Sequence, residues 1–126
     1  MLGRVEHPEY FKEGALEHIF KGNTSGGFHY EGLSDANGKV VKIVTPPNEQ
    51  GIYRAIVEID GKVKAAPSTF FPKNWTPEEV ADAIEEAYNN RVWDRKNVYV
   101  STISSGITIE IYLDAMNKII SAYPLI

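Results

Sequence analysis

The sequence contains no cysteine, which excludes disulfide bonds, thiolate zinc sites and a cysteine nucleophile. It has no apolar run long enough to span a bilayer, so we expect no membrane partner. Its first ten residues lack the apolar stretch of a signal peptide, and we expect none in them. Histidine is scarce, with three residues in the chain.

The remaining composition is that of an ordinary globular protein. A chain of 126 residues fits one domain with one hydrophobic core. Its hydrophobic fraction of 43% and its charged fraction of 24% argue against intrinsic disorder. The sequence has no internal repeat, linker or low-complexity segment. We therefore expect residues 1–126 to form a single domain.

The net charge of −4 is unevenly distributed. Residues 1–75 carry nine basic and nine acidic side chains, whereas residues 76–126 carry four basic and eight acidic ones. One predicted helix supplies most of the excess: Glu78, Glu79, Asp82, Glu85 and Glu86. Bulk attraction to long nucleic acid is therefore not indicated, and nucleic-acid binding would depend on a few placed residues.

Two helices are predicted from their boundary signals. The first is expected from about Pro8 to about Phe20, because proline suits a helix start and Gly22 can end the helix. The second begins at Thr76-Pro77, where the threonine can cap the helix and Glu79 completes a capping box. This helix should end near Asn89-Asn90.

Strand-like segments are rich in β-branched residues or alternate apolar and polar ones. They cover residues 39–45, 52–59, 62–66, 98–103, 107–113 and 118–122. Asp60-Gly61 predicts a two-residue hairpin turn. In the strand that follows, Lys62 and Lys64 should share one face and Val63 should take the other. Helices beside clustered strands predict an α+β fold.

The three histidines are His7, His18 and His29. His7 precedes a proline and is expected to be solvated. His18 and His29 lie 11 residues apart on either side of a glycine-rich loop, Asn23 to Gly27, a spacing that allows two imidazoles to meet in one cleft. The alternative is a surface helix residue and a half-buried loop residue. A metal site would need a third ligand at a recognisable spacing, and no nucleophile-elbow motif supports a Ser–His–Asp triad.

The segments around this loop read Leu16 to Gly22 (LEHIFKG) and Gly26 to Tyr30 (GGFHY). Here the sequence resembles the bacterial EndoU family of endoribonucleases. The resemblance continues in the family order through residues 51–57, 64–76 and 119–124, and so covers most of the chain. It implies an α+β fold in which small antiparallel sheets flank a catalytic cleft, with helices outside.

The resemblance also implies the catalytic residues. His29 corresponds to the general base and His18 to the general acid. Lys64 corresponds to the catalytic lysine. Lys62, expected on the same strand face, and Lys42 remain alternative candidates, and Lys64 would then be an ordinary solvated strand lysine.

Substrate-binding residues follow from the same resemblance. Tyr123, the fourth residue expected at the catalytic site, corresponds to the tyrosine that stacks on the sugar or base. Ser121 stands where bacterial members often have threonine. Ser68 and Thr69 follow the lysine and are candidates for substrate contact. The alternatives are that Tyr123 is a packed aromatic and that the two hydroxyl residues cap the loop before Phe70-Phe71.

The family implies an endoribonuclease without a metal or other cofactor. It is expected to cut single-stranded or loop RNA at uridylates through the RNA's own 2′-hydroxyl, which leaves a 2′,3′-cyclic phosphate and a 5′-hydroxyl and excludes cleavage of DNA.

The size of the chain resembles that of the C-terminal toxin domains of contact-dependent or secreted bacterial toxins. A toxin domain predicts tRNA as a target, a cognate immunity protein as a partner and action in the cytoplasm, after secretion or delivery into a target cell. A free-standing RNA-processing enzyme and a non-catalytic RNA-binding or protein-interaction module are the alternatives.

Overall fold

In the computed structural model, the described residues 10–23, 26–33 and 36–126 form two helices and eight strands. The elements in chain order are α1 (Ala15–Lys21), β1 (Gly38–Thr45), β2 (Tyr53–Ile59), β3 (Lys62–Val63), β4 (Ser68–Phe70), α2 (Pro77–Asn89), β5 (Val92–Arg95), β6 (Val98–Thr102), β7 (Thr108–Leu113) and β8 (Ile119–Leu125). The strands form two antiparallel sheets. The fold is therefore α+β, as predicted. Within the described part of the chain, neither helix has the length and apolar character needed to cross a membrane.

The first sheet is built around β2, whose residues are alternately buried and half-buried. β1 pairs with one edge of β2, and β3 and β4 pair with the two ends of its other edge. The buried side chains of this sheet form a small core of Phe28, Tyr53, Ala55, Val57, Ile59 and Phe70. The opposite face of β2 carries Arg54, whose partners in the register are Thr45 of β1 and Thr69 of β4.

β5 to β8 form the second sheet in chain order. One face packs with the helices in the larger core, which includes the paired residues Ile111 of β7 and Ala122 of β8. Because side chains alternate along a strand, the other face carries Glu110 of β7 opposite Tyr123 of β8, with Ser121 two residues away. β8 also contacts β4, so the two sheets meet beside this polar face.

Local signals predicted α2 and the hairpin correctly. The Thr76 hydroxyl accepts from the Glu79 N–H at 3.1 Å, and the Glu79 carboxylate accepts from the Thr76 N–H at 2.7 Å. The helix ends at Asn89, where it was expected. Asp60-Gly61 joins β2 to β3 with φ of 52° and 84°, the positive values that a type I′ turn requires. Gly22 follows the last residue of α1 and ends that helix as predicted.

The first helix is shorter than predicted. It begins at Ala15, because Gly14 before it has a left-handed φ of 85°, and Phe11 forms a parallel bridge with Ile119 of β8 instead of a helical turn. The expected start at Pro8 lies outside the described residues. A bridge to a segment more than one hundred residues away leaves no local signal in the sequence.

The strand predictions were incomplete. β3 ends at Val63 and not at residue 66, so Lys64 lies beyond the strand. Lys62 and Lys64 still line one cavity together. β4 and β5 were not predicted. β4 has only three residues and follows Pro67, and β5 is exposed throughout, so neither shows the usual pattern of a half-buried strand.

Candidate active site

A cavity of about 650 Å³, called the first cavity here, opens between α1 and β8. Its wall includes four residues nominated from the sequence: His18, His29, Ser121 and Tyr123. The two histidines therefore share one cavity. The third histidine, His7, lies outside the described residues.

The backbone of the glycine-rich loop holds His29 against the end of α1. The N–H of Phe28 donates to the carbonyl oxygen of His18 at 2.9 Å, and the N–H of His29 donates to that of Ile19 at 2.6 Å. Gly27 permits this approach, because a Cβ at its φ of +84° would lie 2.0 Å from the His18 carbonyl oxygen. Local backbone geometry thus brings the two histidines together.

His29 is nearly buried, with 8% of its surface exposed. Its Nδ1–H donates to the backbone carbonyl oxygen of Thr69 at 2.9 Å, since that oxygen can only accept. The pKa of His29 is lowered from 6.5 to about 4, mainly by burial, with an opposing effect of the Thr69 hydrogen bond and smaller lowering effects of the positive charges of His18 and Lys64. The ring is therefore neutral at pH 7, with its lone pair on Nε2.

His18 is half-buried in the last turn of α1. Its Nδ1 lies 3.3 Å from Oδ1 of Asn23. An amide oxygen accepts hydrogen bonds, so this contact favours a proton on Nδ1. In the neutral ring of that tautomer, Nε2 carries the lone pair.

The ammonium group of Lys64 lies beside the glycine-rich loop: its Nζ is so close to Gly26 that a Cβ on this glycine would lie 3.1 Å from it. Its charge contributes to the lowered pKa of His29, so it acts electrostatically on the same site. Lys62 is exposed on β3 and Lys42 is exposed on β1. Neither is among the charges that lower the pKa of His29. Of the three candidate lysines, Lys64 is the one whose charge acts on the imidazole.

Tyr123 packs over His29, with ring centroids 4.9 Å apart and ring planes inclined by 33°. Its hydroxyl donates to Oε2 of Glu110 at 2.6 Å and lies 2.9 Å from the hydroxyl of Tyr112. Burial and then the hydrogen bonds to Glu110 and Tyr112 raise the pKa of Tyr123. The hydroxyl therefore stays protonated and anchors the ring beside the imidazole.

The three nominated hydroxyl residues divide between two cavities. Ser121 lines the first cavity. Ser68 and Thr69 line a second cavity of about 530 Å³ on the other side of His29. The walls of this second cavity also include His29, Arg54 and Tyr123. The Ser68 hydroxyl donates to the carbonyl oxygen of Gly27 at 3.4 Å, so it also ties β4 to the glycine-rich loop.

Sequence reasoning missed several charged residues of this region, among them Lys12 and Glu13 in the wall of the first cavity. Glu110 is buried, with 8% of its surface exposed, and lies 3.5 Å from the guanidinium of Arg95. It is the only acidic residue within β7, and this lone charge among apolar residues could have indicated a site residue. Arg54 lines the second cavity and is the only basic residue within β2. Among the described residues, no group of three or more histidine and acidic side chains is placed to hold a metal ion.

The chain matches known proteins over nearly its whole length. The model of the family described as bacterial EndoU nuclease matches residues 12–126. A curated protein of Bacillus cereus strain ATCC 14579, named Toxin, is 41% identical over an alignment of 133 positions that covers 98% of this chain. The chain spans only 24% of the length of that relative. No solved structure matches the chain.

The family match and the site fall on the same part of the chain. Residues 12–126 contain both histidines of the first cavity, Lys64 and Tyr123. The family match covers far more than half of the chain. The chain therefore belongs to the bacterial EndoU nuclease family.

Proposed function

We propose that this domain is an endoribonuclease that needs no metal and cuts RNA through the 2′-hydroxyl beside the scissile phosphate. The proposal is carried by one observation: a neutral imidazole, His29, and a second imidazole, His18, line the same cavity. RNA supplies its own nucleophile. A base, an acid and a positive charge are therefore sufficient for the reaction.

His29 is the general base of this proposal. Because its Nδ1–H is donated to Thr69, the lone pair on Nε2 can take the proton of the 2′-hydroxyl as that oxygen attacks phosphorus. The low pKa of His29 keeps the ring in the form that accepts a proton. A bound phosphodiester adds negative charge to the cavity, which raises the pKa of the imidazole and makes it a stronger base in the complex.

His18 and Lys64 complete the reaction. In its protonated form, His18 gives a proton to the departing 5′-oxygen, so that the P–O bond to this oxygen breaks as the bond to the 2′-oxygen forms. The Lys64 ammonium stabilises the negative charge that gathers on the free oxygens of the five-coordinate phosphorus. The products are a 2′,3′-cyclic phosphate and a 5′-hydroxyl. DNA has no 2′-hydroxyl and is not cut.

The walls of the first cavity suit an unpaired nucleotide. The ring of Tyr123 offers a face for stacking on the sugar or base, and the Ser121 hydroxyl can contact the edge of a base. The substrate is therefore single-stranded or loop RNA, with a preference for uridylates. Ser68 and Thr69, in the second cavity, contact the RNA next to the cleaved nucleotide.

The relative named Toxin supports a toxin role. We propose that the chain acts as the nuclease domain of a bacterial toxin, in the cytoplasm of a target cell, on an RNA such as tRNA. A cognate immunity protein that covers the first cavity would protect the producing cell. A free-standing RNA-processing enzyme would lack a delivery region and a neighbouring inhibitor gene, so the native gene and its surroundings distinguish the two.

The test of the proposed function uses two oligonucleotides in the presence of EDTA. One contains uridine at a single position, and the other contains 2′-deoxyuridine at that position. We expect cleavage of the first and none of the second. Equal cutting of both would overturn the mechanism, and binding of the uridine oligonucleotide without any product would favour a non-catalytic RNA-binding module.

A further inference from the structure

We propose that Arg54 forms a subsite for the phosphate next to the scissile one, so that the RNA backbone runs from the first cavity into the second. This inference rests on the proposed ribonuclease function and extends it from one nucleotide to two. The occupant is a phosphodiester or phosphate monoester of the RNA substrate.

The two cavities have two wall residues in common. His29 and Tyr123 line both of them, so the second cavity begins where the proposed reaction takes place. An RNA strand held with its scissile phosphate beside His29 would extend its next nucleotide along the wall formed by Thr69 and Leu125. The volume of about 530 Å³ leaves room for this nucleotide.

The second cavity is suited in charge to an anion. Among the described residues of its wall, Arg54 has a permanent positive charge and no side chain is acidic. His29 in the same wall is neutral at pH 7 because its pKa is about 4. In a chain with a net charge of −4, a cavity wall that carries a permanent positive side-chain charge and no acidic side chain favours the approach of a phosphate.

Arg54 also differs from the other described arginines in its contacts. Arg91 lies over the ring of Tyr88 and donates to that residue's carbonyl oxygen. Arg95 pairs with Asp94 and Glu110. Within the described part of the chain, Arg54 makes neither an ion pair nor a cation–π contact. Its guanidinium can therefore bind two oxygens of one phosphate without giving up an existing partner.

The backbone of Arg54 is held firmly. It lies in the central strand of the first sheet, with Thr45 and Thr69 as its partners on either side. Thr69 also accepts the hydrogen bond that orients His29. The strand register thus fixes the base of the arginine relative to the imidazole, which is what a subsite of defined spacing requires.

The experiment measures kcat/KM on three short substrates: uridylyl-adenosine, the same dinucleotide with a 5′-phosphate, and the same dinucleotide with a 3′-phosphate. For the wild type we expect one added phosphate to raise kcat/KM by about 10- to 100-fold, as for a charged hydrogen-bonded contact. In Arg54→Ala this gain should largely disappear. For each protein, the gain is the ratio of kcat/KM on a phosphorylated dinucleotide to kcat/KM on the unphosphorylated dinucleotide. Arg54→Lys should keep part of the gain.

Lys39→Ala is the matched control, because it removes a positive charge from the neighbouring strand at a residue that lines neither cavity. It should keep the full gain. On a longer RNA, the plot of log kcat/KM against log salt should become less steep by about 0.7 in Arg54→Ala, the effect of one lost phosphate contact on a single strand. Arg54→Gln serves as a second neutral variant if Arg54→Ala unfolds.

Two failures are distinguishable. If the wild type cuts none of the three substrates and no longer RNA, the proposed function is overturned and the subsite with it. If the wild type cuts them but the gain is absent, or persists in both neutral variants, the subsite is overturned and the ribonuclease function stands.

Discussion

The Nδ1–H of His29 donates to the backbone carbonyl oxygen of Thr69 over 2.9 Å. This hydrogen bond crosses from the segment after the glycine-rich loop to β4, a strand that the sequence did not predict. It selects the tautomer of a nearly buried imidazole and leaves Nε2 as its basic nitrogen. The assignment of His29 as a base therefore depends on a backbone atom, which no substitution at Thr69 removes.

The low pKa of His29 predicts a pH dependence of stability. The unfolded chain binds a proton at this residue near pH 6.5 and the folded protein near pH 4, so the unfolded state holds more protons between these values. The stabilisation that comes from the low pKa of His29 is therefore fully present above about pH 6.5 and is lost as the pH falls to 4. The free energy of unfolding should decrease by about 3 kcal/mol over this range. Urea unfolding at several pH values measures it.

His29→Gln is the control for this titration, because glutamine does not ionise and its amide can still donate to Thr69. When the unfolding free energy of the variant is subtracted from that of the wild type, the contribution of the carboxyl groups cancels. That difference should change by about 3 kcal/mol between pH 6.5 and 4. An unchanged difference over this range would contradict the buried, neutral imidazole.

Removal of either imidazole should slow catalysis strongly without unfolding the protein. We expect His18→Ala and His29→Ala each to lower kcat by about 10²- to 10⁴-fold, since each proton transfer contributes about that much. The double variant should be little worse than the single ones, because the two groups act in one step. His7→Ala is the matched control and should keep its activity. Full activity in either single variant removes that histidine from its role.

The lysine assignment can be tested by a matched pair. Lys64→Ala should lower kcat by about 10²- to 10³-fold, the usual cost of removing one group that stabilises transition-state charge. Lys62→Ala removes the same charge two residues away, where the side chain is exposed, and should change kcat less than threefold by the same argument. A larger loss in Lys62→Ala than in Lys64→Ala would reverse the assignment.

Tyr123 should act through its ring more than through its hydroxyl. The hydroxyl is already bound to Glu110, and the ring packs over His29. Tyr123→Ala should lower kcat/KM by about 5- to 150-fold, the value of one base-stacking contact, whereas Tyr123→Phe should lose less than about tenfold. If Tyr123→Phe were as damaging as Tyr123→Ala, the hydroxyl and not the stacked ring would carry the effect.

The parts of the fold that could be predicted from the sequence are those with short-range causes. The capping box at Thr76 and Glu79, the turn at Asp60-Gly61 and the end of α1 at Gly22 each depend on a few neighbouring residues. The start of α1 could not be predicted, because Phe11 is held by a bridge to Ile119 at the other end of the chain.

The candidate site divides in the same way. Gly27, two residues before His29, is of the residue type that lets a backbone pass close to another segment, and the structure has this approach at His18. The partners of the site residues come from strand register: Thr69 reaches His29 because β4 pairs with β2, and Glu110 reaches Tyr123 because they are opposite in β7 and β8. Register over such distances is set by the assembled sheets and not by local sequence.

The most direct test of the central claim is the chemistry of the new ends. A deoxyribonucleotide strand with a single ribouridine is incubated with the protein in ¹⁸O-water that contains EDTA. The masses of the first products are then measured by mass spectrometry. We predict one cut after the uridine, a 2′,3′-cyclic phosphate without ¹⁸O and a 5′-hydroxyl, because the 2′-oxygen and not water attacks phosphorus. A 5′-phosphate end, or ¹⁸O in the first-formed phosphate, would contradict the account.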